Sequence, residues 1–145
     1  MALLPQDFKE FLRLLNAHGV EYLVVGGYAV GYYGYARATA DIDIWVAQNP
    51  ANAKRLVTVL REFGFDLEET KPSLFLEEDR IIRMGMPPVR IEIITKASGV
   101  SFAECYADRW IGEMDGVNVN LISLDDLRAN KAAAGRYKDL DDIKH

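Results

Sequence analysis

"VVGGYAVGYYGYARATADIDIWV", residues 24–46, decides how this chain is read. Val24 and Val25 end a run suited to a buried strand, which breaks into Gly26-Gly27. A second apolar run then carries Asp41 and Asp43 among Ile42, Ile44 and Trp45. Side chains alternate along a strand, so the two aspartates share one face and the two isoleucines share the other. Two like charges on one face repel, and partial burial raises the cost. Asp is also a poor strand former. Either both acids are solvated on an open sheet face, or a cation lies between them. Oxygen ligands without His or Cys suit Mg²⁺ or Mn²⁺ rather than zinc.

A third acid stands in "VRIEIIT", residues 89–95, where Glu92 is flanked by Ile91 and Ile93. If that strand lies beside the first, Glu92 completes a cluster of three carboxylates. Such a cluster suits two divalent ions, one activating an attacking oxygen and one binding phosphates and the leaving group. The plainer alternative is an outward-facing Glu92 paired with Arg90 or Lys96.

Gly26-Gly27 follows a strand and precedes a helix. Backbone N–H groups are free at such a turn, the helix dipole favours an anion, and glycine lets a phosphate approach the main chain. Many strand–helix turns, however, hold glycine for backbone geometry alone. "GGYAVG" has neither the dinucleotide-binding spacing nor that of the P-loop.

The remainder of the chain bounds the class. Its 145 residues, 50% hydrophobic and 27% charged, predict a single soluble domain over residues 1–145. No apolar run reaches the length of a membrane span. "MALLPQDFKEFLRLL" reads as a first helix of a cytoplasmic protein rather than as a leader. Lone Cys105 excludes an internal disulfide. The net charge of −5 disfavours a broad grip on duplex nucleic acid, but not a nucleotide held through a metal.

Periodicity predicts a helix near residues 8–15, a strand at 20–25, a short helix from Gly27 to Tyr33, a strand at 41–46 and a helix at 51–64. Three strand-like pieces follow: "SLFLE", "RIIRMGM" and residues 89–95. "SFAECYADR" reads as a helix. Asp115-Gly116 marks a tight hairpin, and residues from about 123 to 145 read as two helices meeting near Gly135. The expected fold is α/β or α+β, a mixed sheet flanked by helices.

Taken together, these residues resemble the nucleotidyltransferase superfamily of DNA polymerase β type. In that superfamily a strand ends in Gly-Gly or Gly-Ser, Asp-x-Asp follows on the next strand, and a later strand supplies a third acid. Here thirteen residues separate Gly26-Gly27 from Asp41-Ile42-Asp43, and Glu92 follows. The wording is also similar to small bacterial nucleotidyltransferases related to the AbiEii toxins of toxin–antitoxin systems. In that group a C-terminal helix carries a lysine and then a basic-Asp segment, matched by Lys131, Arg136, Lys138 and Asp139 in "NKAAAGRYKDLDDI".

The resemblance implies a nucleotidyltransferase-type sheet with C-terminal helices, and a nucleoside triphosphate held at Gly26-Gly27. Mg²⁺ or Mn²⁺ would sit on Asp41, Asp43 and Glu92, which would be the catalytic residues. Gly27 stands where many relatives carry serine. Arg37, Thr39, Lys131 and Arg136 are further nucleotide-binding candidates, each weighed against a solvated surface role. Tyr28, Tyr32, Tyr33 and Tyr35 read as packing. The acceptor stays open among an RNA end such as that of a tRNA, a protein hydroxyl and a small molecule. A toxin or antitoxin partner is also open. The rival readings are an inactive binding, antitoxin or regulatory protein on the same fold, and a structural protein with solvated acids.

Overall fold

The structure, a computed structural model, describes residues 4–34, 41–77, 79–86 and 89–138, with side chains up to residue 135. Arg37, Thr39, Tyr35, Asp139 and the side chains of Arg136 and Lys138 therefore lie outside the described residues.

The elements run α1 (Gln6–Ala17), β1 (Tyr22–Val25), α2 (Gly26–Tyr32), β2 (Asp41–Val46) and α3 (Pro50–Phe63). They continue with β3 (Ile81–Met86), β4 (Val89–Ile94), α4 (Phe102–Ala107), β5 (Trp110–Met114), β6 (Val117–Leu121) and α5 (Leu124–Lys138). Six strands form one sheet in the order β3-β4-β2-β1-β6-β5. β2 pairs antiparallel with β1 and parallel with β4. β1 pairs parallel with β6, and β3 and β5 close the two edges antiparallel to β4 and β6. The expected mixed sheet flanked by helices is the fold observed.

Local chemistry explains the elements. Phe8, Phe11, Leu12 and Leu15 recur at helical spacing and are all fully buried on α1. Phe11 meets Phe63 of α3 edge to face, ring centres 5.1 Å apart, so the two helices pack through aromatic rings. Pro50 occupies the first turn of α3, where its missing N–H costs nothing, and the Asn49 side chain accepts from the Asn52 N–H at 2.9 Å. Asn52 is itself buried and ties the helix to the sheet ends. Its Oδ1 accepts from the Glu21 N–H, while its Nδ2 donates to the carbonyls of Glu21 and Ala47. Asp115 and Gly116 both take positive φ, 48° and 81°, as a two-residue hairpin turn of the favoured twist requires.

Two sequence expectations are corrected. "SLFLE" is not a strand, since Pro72–Phe75 forms a short 3₁₀ helix with Phe75 buried beneath it. Pro72 pre-sets the helical φ at the first position, and that local signal outweighs the apolar composition. The C-terminal segment is not two helices meeting at Gly135, because α5 runs unbroken through that residue to Lys138. One glycine inside a helix costs only about 1 kcal/mol, which the preceding alanines offset. Ser123 caps α5, its Oγ accepting from the Asp126 N–H at 3.2 Å, and Leu127 is buried one turn later. Among the described residues no helix is long and apolar enough to cross a membrane.

Candidate active site

The pairing register sets the site. Val25 of β1 stands opposite Asp43 of β2, Asp43 beside Glu92 of β4, and Glu92 opposite Arg83 of β3. The next row toward the start of β2 pairs Asp41 with Arg90. Residues level in adjacent strands project to the same face, so the three acids and two arginines form one charged patch. The intervening positions, Ile42, Ile44, Ile91 and Ile93, point the other way and are at most 2% exposed. A one-residue slip of either strand would exchange these faces, so burial of the isoleucines fixes where the acids stand.

Charge within the patch is closely balanced. Arg90 forks onto Asp41, its Nε and Nη2 donating to Oδ2 at 3.2 and 2.7 Å. The same Nη2 lies 3.7 Å from Glu92 Oε1, which also accepts from Arg83 Nε at 2.9 Å. Burial pushes the Asp43 carboxyl up to about 7, helped by its hydrogen bond to Glu92 and by the charges of Glu92 and Asp41, with Arg90 opposing. With a proton on Asp43, two guanidinium charges face two carboxylates. Above that pH three carboxylates face those two guanidinium groups among the described residues.

Asp43 also explains the first glycine. Gly26 has a φ of +66°, in the left-handed region. A Cβ built there would collide with the Asp43 carboxylate. Any side chain at this position would therefore be strained in the backbone and would displace an acid of the cluster. Gly27 is the second residue of α2, whose cap residue, Val25, gives the helix no side-chain hydrogen bond. Tyr28 follows, and its phenol is raised first by burial and then by the charge of Asp41.

The tyrosines are packing residues where they are described. Tyr28 meets Phe8 edge to face, Tyr33 donates to the Ile122 carbonyl at 2.7 Å, and the Tyr32 hydroxyl accepts from Trp110 Nε1 at 2.9 Å. Lys131 is exposed on α5, one residue after Asn130, whose side chain donates to the Ser98 carbonyl beyond β4. Ala133 on the same helix packs against Gly99. Lys96, named as a partner for Glu92, pairs instead with Asp79 at 3.4 Å.

Arg83 was missed in the sequence, and Arg90 entered only as a plain partner for Glu92. The available signal was alternation. Arg90 is two residues before Glu92 and must share its face, whereas Arg83 becomes a neighbour only through the β3–β4 register.

An all-oxygen donor set on two adjacent strands fits a divalent cation in kind, and Asp43 favours a proton where no cation neutralises it. Among the described residues, however, no three His, Cys, Asp or Glu side chains stand as a ready metal-binding group. Asp41 and Glu92 are instead drawn onto arginine.

Comparison with known proteins agrees with this fold. Residues 4–145 match the family described as "Nucleotidyltransferase of unknown function (DUF6036)". No curated protein matches the chain. A solved structure from Thermotoga maritima, described only provisionally as a nucleotidyltransferase, is similar with a TM-score of 0.61 and 14% identity, covering 90% of this chain and 84% of its own. At that identity the likeness speaks for the fold alone. The chain belongs to this nucleotidyltransferase family of unknown function, within the nucleotidyltransferase superfamily.

Proposed function

We propose that this chain is a metal-dependent nucleotidyltransferase. An acceptor oxygen would attack the α-phosphorus of a nucleoside triphosphate, forming a new O–P bond. The bond to the β-phosphate oxygen would break, and pyrophosphate would leave. The observation that carries this reading is the row of Asp43 and Glu92 beside Asp41, set against the Gly26-Gly27 turn. Asp41 and Asp43 would hold two Mg²⁺ or Mn²⁺ ions, and Glu92 would share one of them and help take the acceptor's proton. When bound, such ions supply charge neutralisation and a more nucleophilic oxygen. The protein's share is positioning and a fixed field. Backbone N–H groups at Gly26 and Gly27 would receive phosphate oxygens, and Lys131, with Arg37, Thr39 and Arg136, would extend that contact.

The acceptor would be an RNA end, a protein hydroxyl or a small molecule. The resemblance to AbiEii-related proteins supports a place in a toxin–antitoxin pair. The ion pairs of Arg90 with Asp41 and Arg83 with Glu92 favour a second reading, a non-catalytic binding or regulatory protein on the same fold.

Incubating the protein with each α-labelled triphosphate, Mg²⁺ or Mn²⁺ and cell extract separates the two. Label appearing on an extract component, and lost with Asp43→Asn, is the expected result. Nucleotide binding without any transfer would leave the regulatory reading in place. Neither binding nor transfer would exclude both.

A further inference from the structure

We propose that Arg90 is a phosphate-binding residue that the acids hold in reserve: divalent cations displace its guanidinium from Asp41, and it then pairs with the nucleotide's phosphate chain. The inference rests on the three acids being a cation site, as proposed above.

Three observations carry it. First, Arg90 sits on an oxygen of Asp41 that a cation could use. Both of its bonds to Asp41 go to Oδ2, and its Nη2 also lies 3.7 Å from Glu92 Oε1. The guanidinium therefore bridges two of the three acids and competes with a metal ion for the charge of Asp41.

Second, Arg90 can move. Arg90 is only partly buried, so a new position costs little desolvation. A partly solvated ion pair of this kind is weak beside the attraction of several carboxylates for a divalent ion. Arg83 differs, being more than half exposed on the edge strand and, among the described residues, paired with Glu92 rather than with Asp41.

Third, the displaced group would have somewhere to go. β1 and β2 run antiparallel with Val25 level with Asp43, and α2 starts at once with Gly26, where a Cβ would strike the Asp43 carboxylate. Arg90 is level with Asp41 on the other side. The start of α2 and the β4 position of Arg90 thus lie on opposite sides of β2 and its two aspartates. Phosphates received at Gly26-Gly27 and neutralised over Asp41 would present oxygens toward Arg90. A planar guanidinium binds such oxygens in two-pronged fashion, as it now binds the carboxylate.

Opposite signs distinguish this role from a structural ion pair. Removing Arg90 should tighten binding of the metal alone, because a competing cation is gone, and weaken binding of the nucleotide, because a phosphate contact is gone. The test uses wild type, Arg90→Gln and Arg83→Gln. Mn²⁺ binding without nucleotide is read from the spin-resonance signal of free Mn²⁺. Binding of a nonhydrolysable triphosphate at saturating Mg²⁺ is read by calorimetry.

For Arg90→Gln we expect Mn²⁺ to bind several-fold tighter and the triphosphate to bind about tenfold weaker, the scale of one charged contact. Arg83→Gln should tighten Mn²⁺ less and leave the triphosphate within about twofold, because its guanidinium sits at the sheet edge on Glu92 and not on Asp41 among the described residues. If Arg90→Gln does not fold, Arg90→Lys carries the same comparison with smaller shifts of the same sign, since ammonium cannot fork. Wild type that binds Mn²⁺ and nucleotide while Arg90→Gln changes both in the same direction, or neither, overturns the inference and leaves the site reading standing. Wild type that binds no Mn²⁺ overturns the site reading, and the inference with it.

Discussion

β2 and β4 have two faces that obey opposite rules. On one, Ile42, Ile44, Ile91 and Ile93 are packed dry into the core. On the other, one residue away along each strand, Asp41, Asp43 and Glu92 gather like charge around a partly buried hydrogen bond. The first face stabilises the fold and would do so in any α/β protein. The second destabilises it, and two arginines and a proton only partly offset that cost. A strand keeps such an arrangement where the fold needs the charge for something other than stability. The register that buries the isoleucines is also what aims the acids, so neither face can be altered in position without the other.

This contrast can be broken from either side. The largest effect is expected on the apolar face. Ile44→Ala removes a fully buried side chain beside Asp43 and should cost about 2–5 kcal/mol in denaturant unfolding. Once folded, it should bind Mg²⁺-nucleotide as wild type does. Gly26→Ala comes next and strikes both faces at once. The left-handed backbone resists the substitution by roughly 1–3 kcal/mol, and the new methyl must push Asp43 away. Melts should fall by several degrees, and nucleotide binding should be lost even at temperatures where the variant is folded.

Lys131→Gln tests the periphery of the charged face. Its nucleotide affinity should drop roughly tenfold, with little change in the ligand-free melt of a residue exposed on α5. Unchanged affinity would make α5 a structural element only.

The smallest effect is the most diagnostic of burial. The folded pKa of Asp43 is raised to about 7, above its unfolded value. Between about pH 4 and pH 7 the native state keeps a proton that the unfolded state has lost, so the wild type loses stability as pH rises through that window and levels off above it. An asparagine side chain in its place does not titrate. Without divalent ions, Asp43→Asn should melt like wild type near pH 4 and gain on it up to about pH 7. The gap should then hold at a few degrees, on the scale of 1 kcal/mol for a partly solvated site. Parallel melting curves across that range would mean that Asp43 is solvated and ordinary.

The two faces also differed in how far they could be read from sequence. Alternation is a local rule, so strands 41–46 and 89–94 and their buried isoleucines were legible from spacing alone. The pairing of Asp43 with Glu92 needed only the assumption that the two strands adjoin. What was not legible depended on neighbours distant in sequence or on competing local signals. Arg83 reaches Glu92 through an edge strand whose register no motif announces. The glycine at 26 was read as a phosphate cradle, and its steric conflict with Asp43 appears only once the strands are paired. Pro72 and Gly135 misled in opposite senses. The proline set a turn of helix inside an apolar run, and the glycine failed to end a helix rich in alanine.

The central claim is that the charged face of β2 and β4 is a cation-dependent nucleotide site. Thermal melts of wild type and Asp43→Asn, each with and without Mg²⁺ and a nonhydrolysable triphosphate, test it most directly. Ligand at a hundred times its dissociation constant should stabilise the wild type by about 2.7 kcal/mol and should not stabilise Asp43→Asn, whose ligand-free form melts at or above the wild type. An Asp43→Asn protein that keeps the full ligand-induced shift, or a wild type that shows none, would contradict the claim.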